Sequence, residues 1–587
     1  MLTADRSHLD YGKLLRESKR YDYSRCTRSL RVAVLSDAAV QQIVPLLKVL
    51  LAHKGVRAEV YLAEYDSIEL EVFNSDSKLY EFAPDAVVIL SSLNALRVAY
   101  YRQPGERSAF GDDVAARVAG VWDALRARSL AVVIQSNYAL PYERAFGNFD
   151  HKVPEAFYPT VQRLNEAIAR MARERSHVLV NDVEALSSYV GRKHWCDERL
   201  WILAKTFCAL EHLPLVAQNL VDILLANAGH VVKCVVVDLD NTLWGGVIGD
   251  DGLQGIAVGP FGEGEPFYRL QHHLLELKRR GIVLAVCSKN DQENALEPFR
   301  SHPDMVLREE DFAAFVANWD PKPDNLKRIR EMLNIGFDSM VFLDDNPFER
   351  QLVRESLPEV VVPELPEEPA DYVRAVSELN LFEVTSFSEE DRRRAELYRI
   401  NAKRQSLQAS CTDISEYLRS LEMRITMKRF DAFHLPRIAQ LIQRSNQFNL
   451  TTRRYSLAEC EEMAKREGCL PLYLTLRDKF GDNGLISVII LELQPTVLEI
   501  NSWLMSCRVL GRGVEQYAMN QVVAIAKTHG CREVMGTYIP TRKNGMVREF
   551  YAQFGFRPVE ERQGRSRWCL KVAEYDERPA YISSEEE

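Results

Sequence analysis

The stretch CVVVDLDNTLW, residues 234–244, constrains the fold more than any other: an apolar run long enough for one buried strand ends in Asp238 and Asp240. Side chains alternate along a strand, so two aspartates two positions apart emerge on the same side. Strands that are apolar throughout belong to parallel sheets covered by helices on both faces. Two further runs end in polar residues, IVLAVCSKN with Ser288 and SMVFLDDN with Asp344 and Asp345. Ligands of open α/β sheets bind outside the carboxyl ends of the strands, so these residues are expected to share one crevice. Paired carboxylates there need a cation, and oxygen ligands favour Mg²⁺. Lys322, in the turn-like DPKPDN, supplies a second positive charge suited to phosphate.

The alternation of short strands with helical periodicity recurs. RVAVLSD, AEVYLAE, DAVVIL at 85–90 and AVVIQSN at 131–137 predict an open parallel sheet ahead of the aspartate unit. Behind that unit, VVVPELPEEPADY at 360–372 reads as a linker, followed by a charged helical run. The expected class is α/β, with three domains over 1–228, 229–380 and 381–587.

Composition excludes several classes. With 46% hydrophobic and 27% charged residues the chain is an ordinary globular one, and a net charge of −10 argues against whole-chain binding to nucleic acid or anionic membrane. The eleven cysteines are scattered and never in a CxxC spacing, which reads as neither a disulfide framework nor a structural zinc site. No apolar leader or membrane span is read, so a cytoplasmic location is expected. Basic clusters at Arg392 to Arg394 and at Arg453 and Arg454 are equally readable as solvated faces or as a surface for an acidic partner.

Four ordered motifs carry a family resemblance. DLDNTLW resembles motif I of the haloacid-dehalogenase (HAD) superfamily, Ser288 motif II, Lys322 motif III, and the pair Asp344 and Asp345 motif IV. The resemblance implies that Asp238 is the phosphate-attacking nucleophile and Asp240 the general acid/base. It also implies that Thr242, Ser288 and Lys322 hold the phosphoryl group, while Asp238, Asp240, Asp344 and Asp345 hold Mg²⁺. Only 49 residues lie between Asp238 and Ser288, too few for a large cap domain. The wording DLDNTLWGGVIGDDG, with VCSKND and FLDDNPFER, is more specific and resembles the FkbH-like, HAD-IIIC group.

In the last domain, NSWLMSCRVLGRGVEQYAMNQVVAIAK at 501–527 is an apolar strand, a glycine turn and a long helix. Arg508, Gly511 and Gly513 resemble the R/Q-x-x-G-x-G/A turn of GNAT acyltransferases, whose amides receive the pyrophosphate of coenzyme A. Asn544, Tyr551 and FGF at 554–556 stand where that family surrounds the pantetheine thiol, which implies Tyr551 as thiol general acid. The same arm is carried by acyl carrier proteins. In the first domain, LSDAA, SSLN and QSN resemble SGNH-hydrolase blocks only faintly; Ser36 is not in a clear GDS, and Asp182 and His194 are twelve apart, so a structural or docking role is expected.

The FkbH-like resemblance implies conversion of 1,3-bisphosphoglycerate into a glyceryl thioester on acyl carrier protein, a polyketide-type building block. An enzyme cysteine relay is implied as well, with Cys287 and Cys507 as candidates at strand ends; alternation sets Cys287 and Ser288 on opposite faces, and Cys234 reads as core. Two alternatives stay open: a HAD phosphatase on another small phosphate with a GNAT-like scaffold, and a coenzyme A-dependent acyltransferase with a regulatory HAD unit.

Overall fold

The computed structural model describes the chain except residues 1–8, 104–106, 388, 394, 395, 399, 402, 403, 405, 406, 408–412, 446, 542, 563, 586 and 587, so Arg394 of the basic run lies outside the described residues. The described chain divides after Asn227 into two compact units.

The first unit is a parallel sheet of β1 (Arg28–Ser36), β2 (Val56–Leu62), β3 (Ala86–Leu90), β4 (Val132–Ser136) and β5 (Val178–Asn181), in the order β2-β1-β3-β4-β5. Its core is aliphatic because β1 and β3 are apolar on both faces where they pair: Val32 to Leu35 and Ala86 to Leu90 are buried. The short β5 carries little signal in the sequence, since it has four residues and two of them are half-buried.

The second unit contains two sheets. The first joins β6 (Cys234–Val237), β7 (Val283–Ser288), β8 (Phe312–Ala317) and β9 (Met340–Leu343), all parallel, in the order β8-β7-β6-β9. Alternation is visible in the packing: Val235, Val237, Leu284 and Val286 face one core, while Cys234, Val236, Ala285 and Cys287 face the other. Between Asp238 and Ser288 lie the short helix Ile248–Gly255, one 3₁₀ turn and the helix Glu265–Arg279, and no cap domain. The segment 360–372 is not a free linker. Val361 bridges to Val341, Val360, Val362 and Leu365 are buried, and the Tyr372 hydroxyl donates to the Asn241 carbonyl at 3.2 Å. Apolar residues between its prolines draw it onto the sheet.

The second sheet is mixed, with both parallel and antiparallel pairs. Its order among the described residues is β16-β17-β15-β14-β13-β12-β10-β18, where β10 is Met423–Arg429, β12 Cys469–Asp478, β13 Gly481–Leu493, β14 Val497–Met505, β15 Glu533–Tyr538, β16 Arg557–Arg562, β17 Arg565–Lys571 and β18 Ile582–Ser584; the two-residue β11 (Phe448–Asn449) pairs with β14. β14 and β15 run parallel over Val497–Ile500 and Glu533–Gly536 and separate beyond, after a register irregularity between β13 and β14 at Ile490/Leu491.

Candidate phosphotransfer site

β6 and β9 are hydrogen-bonded neighbours, and their carboxyl ends deliver Asp238 and the pair Asp344, Asp345 to one place. Lys322, first residue of the helix Lys322–Leu333, comes in beside them: its Nζ lies 2.7 Å from Asp238 Oδ2 and 2.5 Å from Asp344 Oδ2. Side chains of all three are at least nine-tenths buried. Burial alone would lower the Lys322 pKa; the charges of Asp238 and Asp344 more than offset this and leave it raised. Asp344 is pushed up to about 7, first by burial and then by the nearby Asp238 charge, against the lowering effect of Lys322.

One lysine cannot neutralise the site. Asp238, Asp344 and Asp345 each offer a carboxylate oxygen, and these atoms lie within 4.8 Å of one another. Asp238 Oδ1 is buried without a hydrogen-bond partner among the described residues. A buried, orphaned carboxylate oxygen beside two more carboxylates is a donor set for a hard divalent cation.

Asp240 departs from the expected ligand set. Its Oδ1 accepts from Trp244 Nε1 at 2.9 Å and from the Ile248 amide at 3.0 Å, and its Oδ2 accepts from Asn290 Nδ2 at 3.1 Å. These partners take up both of its oxygens, and Asp240 is not among the three grouped carboxylates, so the side-chain metal ligand read from the sequence is corrected for this residue. Burial raises its pKa, which suits a group that gives and takes a proton.

Thr242 is likewise not a phosphate-facing hydroxyl: it is fully buried, accepts from the Asp345 amide at 3.2 Å and donates to Asp345 Oδ1 at 3.4 Å. It positions the second acid of the pair. Ser288, at the end of β7, is buried, and its carbonyl accepts from the Asn318 amide at 3.2 Å. Sequence reasoning missed three supporting residues. Asn290 and Trp244 orient Asp240, and Arg350 donates to the carbonyls of Asp344 at 2.9 Å and Asp345 at 2.6 Å. All three stand inside or beside the quoted motifs, so a motif-neighbour argument could have found them.

The two cysteine candidates separate. Cys287 is fully buried, its sulfur 3.8 Å from the Lys322 carbonyl, and burial raises its thiol pKa strongly. A buried thiol held protonated is a poor nucleophile, so Cys287 is corrected to a core residue. Cys507 is half-buried and opens a 3₁₀ turn after β14. Cys234 is core, as read.

In the GNAT-like part, Gly511 and Gly513 adopt φ of +73° and +84°, and Arg508 Nε donates to Ser506 Oγ at 3.1 Å. Asn544 is corrected from a thiol-side residue to a staple. It is fully buried, donates to the carbonyls of Asn449 and Ile539 at 2.9 Å each, and accepts from the Thr541 amide at 2.7 Å. The Tyr551 ring lies over Gly536, where a Cβ would come within 2.2 Å of it, and burial raises its phenol pKa. Its hydroxyl is buried. In the first unit Ser36 is buried and donates to the Leu90 carbonyl at 2.8 Å, and the His194 carbonyl accepts from His212.

The sheet order, the uncapped crevice and the Asp238–Lys322–Asp344 cluster define a HAD-type phosphatase domain, joined in this chain to a second, mixed sheet. The family described as FkbH, N-terminal domain matches residues 31–225. A crystal structure of the N-terminal part of the protein BF1531 from Bacteroides fragilis, containing a phosphatase domain complexed with Mg, is 37% identical, with a TM-score of 0.61 over 64% of this chain and 100% of that one. The chain belongs to the FkbH-like family. Lower likenesses include the ribosomal-protein-S18-alanine N-acetyltransferase of Escherichia coli (12% identity, TM-score 0.21, 25% of this chain and 94% of that one) and the GNAT domain of S. lividans PAT (15%, 0.21, 25% and 89%). Among curated proteins nothing matches. No helix among the described residues is long and apolar enough to cross a membrane.

Proposed function

We propose that the protein removes phosphate from 1,3-bisphosphoglycerate and delivers the glyceryl group as a thioester to an acyl carrier protein. The observation that carries the phosphatase half is Lys322 bridging Asp238 and Asp344 while Asp238 Oδ1 stays unpartnered among the described residues. Mg²⁺, held by Asp238, Asp344 and Asp345, would polarise the phosphoryl group and offset its charge.

The Asp238 carboxylate attacks the C3 phosphorus, the bond from phosphorus to the ester oxygen breaks, and Asp240 gives that oxygen a proton. Water, deprotonated by Asp240, then cleaves the aspartyl phosphate and frees inorganic phosphate. The C1 end is an acyl phosphate: a thiolate attacks its carbonyl, the C–O bond breaks and phosphate leaves. Cys507 is the proposed enzyme thiol for that step, with the carrier's thiol as final acceptor.

The test is intact-protein mass spectrometry of enzyme and holo carrier after incubation with Mg²⁺ and freshly generated 1,3-bisphosphoglycerate. A glyceryl-sized gain on the carrier is expected. Phosphate release with no mass gain on either protein would leave the plain phosphatase on a small phosphate as the reading, with the GNAT-like part as scaffold.

A further inference from the structure

The GNAT-like domain offers two places where a coenzyme would be received, and both are filled by the chain itself. The first is the fork where β14 and β15 part beyond Ile500 and Gly536. Strand edges there expose amides and carbonyls that an extended ligand could pair with. Residues 448–450 take that role instead. Phe448 and Asn449 pair antiparallel with Met505 and Leu504, the Leu450 amide donates to the Trp503 carbonyl at 3.0 Å, and the Ile539 amide donates to the Leu450 carbonyl at 2.8 Å. This segment therefore bonds to both arms of the fork. It is buried, with Asn449 and Leu450 fully so, and Asn544 pins it through the Asn449 carbonyl at 2.9 Å.

The second place is the glycine turn ahead of the helix Val514–Thr528. The Gly511 amide, one of the donors an anion would use, donates instead to Glu515 Oε1 at 3.2 Å. The other oxygen of Glu515 is buried with no partner among the described residues, so a negative group already occupies the turn. Nor does Arg512 point outward to compensate: it is buried and donates to Asn401 at 2.9 Å, 3.6 Å from Asp478.

We propose that residues 448–450 and Glu515 close this domain against free coenzyme A, the strand segment standing where the amide-bearing arm would lie and the carboxylate where the diphosphate would lie. The domain then does not use acyl-coenzyme A. The two plugs act on different parts of one ligand: the segment blocks hydrogen bonding along β14, and Glu515 repels the diphosphate. The inference stands on this domain alone and holds whichever phosphate the HAD-type site takes.

Calorimetric titration of the full chain with coenzyme A, paired with hydrogen exchange, tests it. The expected result is no saturable binding and unchanged protection at 448–450 and 503–505. The double variant Glu515→Ala with Asn544→Gly loosens both plugs and is expected to bind coenzyme A saturably where the unaltered chain does not. Should the double variant not fold, Glu515→Ala alone carries the same expectation. Equal binding by variant and unaltered chain overturns the proposal. So does coenzyme A binding to the unaltered chain with loss of protection at 448–450. Neither readout depends on catalysis, so failure here is separable from failure of the glyceryl-transfer reading.

Discussion

The side-chain amide of Asn334 donates to the main-chain carbonyl of Cys507 at 2.8 Å. Asn334 closes, in a left-handed conformation, the helix that begins with Lys322. Twelve residues at 1.5 Å each put the two helix ends about 18 Å apart, so Cys507 is tied to the end of this helix remote from the phosphate site. In the proposed reaction an acyl group on Cys507 and a phosphoryl group on Asp238 would belong to opposite ends of this helix. Asn334→Gly keeps the backbone conformation and removes the donor. It is expected to leave phosphate release unchanged, to slow carrier acylation and to cost about 1 kcal/mol of stability, read from paired assays and a denaturant midpoint.

Asp238→Asn keeps the shape of the site and removes the attacking oxygen's charge. Phosphate release should fall by at least about 10³-fold with the melting temperature retained, because the amide oxygen introduced by the substitution still accepts from Lys322. Chelation of divalent ions should abolish release in the unaltered protein, and readdition of Mg²⁺ should restore it. A variant that kept more than about a tenth of its activity would remove Asp238 from the nucleophile's place.

The cysteines divide in a way that one experiment reads. Cys287→Ala is expected to retain both phosphate release and carrier acylation, with a stability cost of about 1 kcal/mol from the lost packing against Lys322. Cys507→Ala should retain phosphate release and lose the enzyme-bound acyl adduct in an intact-mass spectrum. An adduct surviving in Cys507→Ala would remove the relay role from this residue.

Asp37 supplies a pH prediction in the first unit. Its Oδ1 accepts from the Ser92 amide at 2.7 Å, yet burial dominates and holds its carboxyl at about 7, above the ordinary value of 3.8. The folded state therefore binds the extra proton, and stability falls as pH rises from about 4 to about 7. Asp37→Asn keeps the acceptor without the charge. It should melt higher than the unaltered protein at about pH 8 and at the same temperature near about pH 4, as thermal scans across that range would show.

Strand ends were legible in the sequence because an apolar run closed by a carboxylate has one economical reading in an α/β sheet. Asp238, Lys322, Asp344 and Asp345 accordingly converge as expected. What the sequence withheld is the direction of each side chain. Alternation predicts Asp240 on the same side as Asp238, but the strand ends at Val237 and the oxygens of Asp240 go to Trp244, Ile248 and Asn290, a competition that exists only after folding. Asn544 is a similar case: its type fits ligand binding, and its partners, Asn449 and Ile539, consume that capacity. The proline-rich 360–372 misled for a different reason, since its composition hid the apolar positions that hold it to β9.

Thr242 and Asp345 touch across 103 residues of sequence. A growing chain thus carries its nucleophile long before it carries the partners that make that nucleophile usable. Until Met340–Leu343 has docked along Cys234–Val237, Asp238 lacks the neighbouring carboxylates of Asp344 and Asp345. Phosphate chemistry should switch on late in synthesis and all at once: a nascent chain halted before residue 340 would be inert, however well its earlier strands had assembled.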